Sequence, residues 1–130
     1  MGTLLDTSIL IDIERGARAL PATEDVAIAA ITASELLQGV LRAGAAHRVQ
    51  RESFVEGILA TVPTIPFSLR VARIHAELWA QIAPSSRKID PHDLQVAATA
   101  VSLGWAVATL DRRHFSGIPG LRLATESQPS

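Results

Sequence analysis

Short apolar runs of strand length recur along this chain at Thr3–Leu5, Val26–Ala30 and Trp105–Leu110, with very short strands expected at Thr64-Ile65, between Pro63 and Pro66, and at Leu121–Leu123, after a Gly-Pro turn. Between them the apolar residues recur at helical spacing instead. Strands that read as continuous apolar runs are buried on both faces, and helices must cover them. Strands alternating with helices therefore predict an α/β domain, a mostly parallel sheet with helices on either side. With 130 residues the chain has room for one domain. The expectation is a single domain over residues 1–125 and a loose tail over 126–130.

The helix signals are local. Ser8 is placed to cap a helix from Ile9 to Arg15, which Gly16 closes. Thr32 and Glu35 fit a capping box, with a helix running to about Gly44. Residues 47–60 put Phe54, Val55, Ile58 and Leu59 on one face. Ser68 caps a helix whose stripe is Val71, Ile74, His75, Leu78 and Ile82, with Trp79 expected to pack. Asp90 at N-cap and Pro91 at N1 open the clearest helix, which Gly104 ends.

Net charge is −1, which argues against a surface that grips nucleic acid everywhere and leaves room for a local basic patch. There is no cysteine, so thiolate metal sites and cysteine nucleophiles are excluded. The first apolar run is broken by Asp6 and Asp12 and has no basic flank, unlike a signal peptide or membrane span. Asp6 also stands where a myristoylation signal wants Ser or Thr. Cytoplasm is the expected location.

In a parallel sheet, ligands bind beyond the carboxyl ends of the strands. Asp6 and Asp111 each follow a strand directly. Glu35 and Asp93 stand in the first turns of helices that begin at the same edge. Such carboxylates repel one another unless a cation lies between them, and their hard oxygens suit Mg²⁺ or Mn²⁺. Each also has a structural reading. Asp6 fits a turn, Glu35 the capping box, Asp93 the helix dipole, and Asp111 a cap for residues 112–115. Asp90 fits a cap better than a ligand. Their common edge favours the four together as a metal site.

Four segments then carry a resemblance. Leu4-Leu5-Asp6-Thr7-Ser8-Ile9-Leu10-Ile11 resembles the opening signature of the PIN-domain family. Ser34-Glu35-Leu36-Leu37-Gln38-Gly39 is similar to its second acidic motif, and Asp93–Ala100 to its third. Ala108-Thr109-Leu110-Asp111, followed by Phe115 and Ile118–Leu121, resembles its closing segment. Within the family the chain looks most like the VapC toxins of toxin–antitoxin pairs. The resemblance implies a three-layer α/β/α domain with about five strands, and an endoribonuclease dependent on Mg²⁺ or Mn²⁺. It also implies a VapB-like antitoxin that inserts a segment near the site, and a homodimer. Asp6 and Asp93 would be the principal ligands, with Glu35 and Asp111 completing the pocket directly or through water. Thr7 and Thr109 would hydrogen-bond within it. His114 stands where many relatives carry an acid, so a fifth carboxylate is not expected.

Arg87, Lys88, Arg112 and Arg113 fall in loops expected at the same edge, where they could contact RNA phosphates or serve only as surface charge. Of the four histidines, only His92 is expected near the site. Alternatives differ in what they require. A catalytically silent RNA- or protein-binding module has no need of four carboxylates. An aspartyl-phosphate phosphatase wants a second Asp two residues after Asp6, where Ser8 stands. A phospho-receiver wants a well-placed Lys, and the only one is Lys88.

Overall fold

In the computed structural model, residues 1–21, 25–85 and 87–125 are described. The expected tail at 126–130 lies outside them. The sheet consists of β1 (Thr3–Leu5), β2 (Val26–Ala29), β3 (Thr64–Ile65), β4 (Ala106–Ala108) and β5 (Arg122–Leu123). Its order is β3-β2-β1-β4-β5, and every pairing is parallel. Thr3 is in register with Val26 on one side and Ala106 on the other, which makes β1 the central strand.

Alternation along the strands sorts the core into two layers. Leu4, Ala27, Ala29 and Val107 pack on one side with Val71, Leu78, Leu94 and Ala97. Those partners come from α4 (Leu69–Ile82) and α5 (Pro91–Leu103). Leu5 and Ile28 face the other side, against Ile9, Leu10, Leu36, Val40, Val55 and Ile58. These belong to α1 (Thr7–Glu14), α2 (Ala30–Arg42) and α3 (Ala45–Thr61). The three-layer α/β/α expectation is met. At the sheet's rim Gly2 has no side chain because Trp105 fills the space; a Cβ there would come 2.3 Å from the indole.

Several local expectations are corrected. α1 begins at Thr7, so Ser8 is inside the first turn and its hydroxyl is not a helix cap. α2 begins at Ala30, directly after β2, with no side-chain cap. Thr32 is therefore a buried residue of the helix rather than half of a capping box, and its Oγ1 has no hydrogen-bond partner among the described residues. Trp79 does not pack inside: it is 60 % exposed, its ring edge-on to His75. The strand expected over Trp105–Leu110 is cut to Ala106–Ala108. The backbone after Ala108 turns its N–H groups to side-chain oxygens instead of a ladder. Ser68, Asp90 and Gly104 act as expected: Ser68 accepts from Val71, Asp90 accepts from His92, and Gly104 ends α5 in the left-handed region.

Candidate active site

Chain order reverses between β1 and β4: β2 and β3 are added on one side of β1, β4 and β5 on the other. That reversal leaves a crevice at the carboxyl edge. Asp6 is the first residue beyond β1, and its N–H bonds the Ala108 carbonyl at 3.0 Å, which fixes it beside the end of β4. The residue as a whole is 6 % exposed.

The Asp6 carboxylate is held by two hydroxyls. Ser8 donates to Oδ2 at 2.9 Å and Thr109 donates to the same oxygen at 2.8 Å. Each hydroxyl accepts a backbone N–H in turn, Ser8 from Leu110 at 3.0 Å and Thr109 from Asp111 at 2.9 Å. Each hydroxyl has one proton, and both protons go to Asp6. The 3.3 Å approach of the two hydroxyls is then only a contact. Donors to a carboxylate are the stronger kind, so this anchor is firm.

Glu35 is reached from α1: Thr7 donates to its Oε1 at 3.0 Å. The other oxygen, Oε2, lies 3.5 Å from His92 Nδ1. Asp93, in the first turn of α5, has its Oδ2 3.5 Å from His114 Nδ1. Asp93 holds its proton up to about pH 6, well above the ordinary 3.8. Burial is the main cause, and the charges of Asp6, Asp90 and Glu35 add to it; His114 opposes them.

Asp6, Glu35 and Asp93 thus share one electrostatic field. Asp111 is not among the charges that act on Asp93. It is exposed and makes no side-chain cap bond at the start of α6 (Arg112–Phe115). Among the described residues, no group of three or more His, Cys, Asp or Glu is drawn tightly enough to enclose an ion by itself. Asp90 is a cap, accepting from the His92 N–H at 2.8 Å. Arg112 is committed elsewhere, donating to the Ala124 carbonyl at 2.8 Å.

Thr7 and Thr109 were legible in the sequence as site residues; Ser8 and His114 were not. Ser8 resembles a cap in sequence and is a ligand of Asp6 in three dimensions. His114 reaches Asp93 through the docking of α6, for which local sequence has no signal.

The family described as PIN domain matches residues 3–121. A ribonuclease VapC of Rickettsia bellii is 32% identical over 129 residues, covering 96% of each chain. Among solved structures, VapBC-5 of Mycobacterium tuberculosis, from a toxin–antitoxin family, aligns with a TM-score of 0.77 at 30% identity, covering 94% of this chain and 96% of that one. VapBC2 of Rickettsia felis, bound to a DNA fragment from its promoter, aligns with a TM-score of 0.87 over 98% of this chain and 100% of that one; at 23% identity it bears on the fold alone. The chain belongs to the PIN-domain family and, within it, to the VapC ribonucleases.

Proposed function

We propose that this chain is an endoribonuclease that hydrolyses RNA phosphodiesters with the help of Mg²⁺ or Mn²⁺, and that it is the toxin of a toxin–antitoxin pair. The observation that carries the reading is the convergence of Asp6, Glu35 and Asp93 at the reversal point of the sheet. A VapB-like antitoxin, a homodimer, a single domain over 1–125 and a cytoplasmic location belong to the same reading. Among the described residues, no helix is long and apolar enough to cross a membrane.

The donor set fits a hard divalent cation. All candidate ligands are carboxylate oxygens, and the mutual repulsion felt at Asp93 is what a cation would relieve. Asp6 and Asp93 would hold it, with Glu35 and Asp111 completing the pocket directly or through water. Such an ion would make a water more acidic and neutralise charge developing on the phosphate.

The protein's own groups supply orientation and proton transfer. Ser8 and Thr109 occupy Oδ2 of Asp6, which leaves Oδ1 for the pocket. Thr7 anchors Oε1 of Glu35, and Oε2, which faces His92 Nδ1 at 3.5 Å, is the oxygen placed to take a proton from the attacking water. The water oxygen bonds to phosphorus, the bond from phosphorus to the 3′ oxygen breaks, and that oxygen takes up a proton. The products are a 5′-phosphate and a 3′-hydroxyl.

The test is cleavage of RNA by purified protein in Mg²⁺ or EDTA. Cleavage is expected only with the metal. Asp6→Asn should be folded and inactive, and Glu35→Gln should lose about 10²–10⁴-fold in kcat. Full activity in EDTA would overturn the mechanism; RNA binding with no cleavage under either condition would favour a silent binding module.

A further inference from the structure

A recess of about 270 Å³ at the candidate site is lined by Arg87, Lys88, Ile89, Arg113 and His114 together with the carboxylates Asp90 and Asp93. It is small for a ligand pocket, and its wall is rich in cations although the chain as a whole is not. Its charged groups are differently committed. Arg87 Nη2 donates to the carbonyls of Arg113 and His114 at 3.2 and 3.1 Å, which ties the 87–90 segment to α6. Gly117, at φ +82°, makes room for that guanidinium, since a Cβ there would stand 2.9 Å from Arg87 Nη1. Asp90 is satisfied by its cap bond, and Asp93 faces His114. Among the described residues neither Lys88 nor Arg113 has an ion-pair partner.

Two uncommitted cations on a braced wall, beside a carboxylate of the candidate site, suit an anion next to the one being cut. We infer that this recess is a subsite for a non-scissile phosphate of the RNA, contacted by Lys88 and Arg113. Arg87 is a positioning residue that holds the Arg113–His114 segment in place. The inference rests on the nuclease reading above. It narrows the basic residues singled out in the sequence: Arg112 does not line the recess, Arg87 is held in place by two carbonyls, and among the described residues Lys88 and Arg113 are the cations of the recess whose side chains make no hydrogen bond. Such contacts set register along the strand and carry no base preference.

The experiment compares wild type with the Lys88→Ala/Arg113→Ala double variant. Binding of a labelled single-stranded RNA is followed between about 50 and 200 mM KCl, in an Asp6→Asn background so that the RNA stays intact. The double variant is expected to show a log K against log[salt] slope shallower by about 0.7, one phosphate contact on a single strand. In the active background KM should rise several-fold with kcat at saturating RNA and Tm unchanged. An RNA carrying one neutral methylphosphonate beside the cleaved linkage should reproduce the loss with wild type and add nothing with the double variant. An unchanged slope, or losses that simply add, would overturn the subsite. A wild type that shows the slope difference and never cleaves would instead defeat the nuclease reading and leave the anion site standing.

Discussion

Replacing Asp93 by Asn is expected to make the metal-free protein more stable at neutral pH and no more stable in acid. The native carboxyl is lifted from 3.8 to about 6 by burial and by the charges of Asp6, Asp90 and Glu35. Two units at about 1.4 kcal/mol each set an upper bound near 3 kcal/mol. The side chain is 20% exposed, so solvent screening reduces this to about 1–2 kcal/mol. The sign follows from the raised folded-state value. Below about pH 4 the group is protonated whether folded or unfolded, and Asp93 costs nothing. Between about pH 4 and 6 the unfolded chain loses the proton first and the penalty grows; above about pH 6 it is complete. Urea denaturation in EDTA at about pH 3, 5 and 7.5 should show the variant's advantage appear over that window. Saturating Mg²⁺ should reverse the ranking, because metal at about 100 times its Kd adds about 2.7 kcal/mol to the protein that binds it. A variant that is less stable than wild type at pH 7.5 in EDTA, or whose advantage is the same at all three pH values, would refute the reasoning.

Two further substitutions test the scaffold. Thr109→Val removes one donor to Asp6 and leaves the Asp111 N–H without its acceptor; a loss of about 1–3 kcal/mol by urea denaturation is expected, along with a fall in RNA cleavage. Thr32→Val replaces a buried hydroxyl that has no partner by a methyl of similar size; it should be stabilising by about 1 kcal/mol in the same assay and leave cleavage unchanged.

β1, β2 and β4 were legible in the sequence because each lies in a short apolar run covered by helices, whereas β3 and β5, two residues each, were marked only by the prolines and glycines beside them. The helix ends at Ser68, Asp90 and Gly104 were legible because each is set by one side chain or one backbone conformation acting locally. Where tertiary hydrogen bonds compete with local ones, local reasoning failed. Ser8 has the identity of a cap, yet Asp6 and the Leu110 N–H outbid the helix for its hydroxyl. Thr32 and Glu35 have capping-box spacing, but β2 passes into α2 without a gap, so the helix starts three residues earlier and Thr7 reaches Glu35. Within the candidate site, Asp6, Glu35 and Asp93 could be placed from topology alone. Asp111 follows β4 as expected, but its carboxylate lies in an exposed turn whose direction is set by the Thr109 anchor. The pairing of His114 with Asp93 depends on how α6 docks, and no sequence pattern encodes that.

The strand order has a consequence for synthesis. β1 emerges first, and one of its edges is taken by β2 within the next few dozen residues. Its other edge belongs to β4, and the Thr109–Asp6 bond joins residues 103 positions apart. Until Ala106–Ala108 has been made, Asp6 has neither the Ala108 carbonyl nor the Thr109 hydroxyl to hold it, and the Ser8 hydroxyl has no Leu110 N–H to orient it. A growing chain therefore carries Asp6 through most of this domain's synthesis without a finished site around it. Closing so distant a contact is entropically slow as well. Competence at this centre arrives late, with the addition of a single three-residue strand to the open edge of β1.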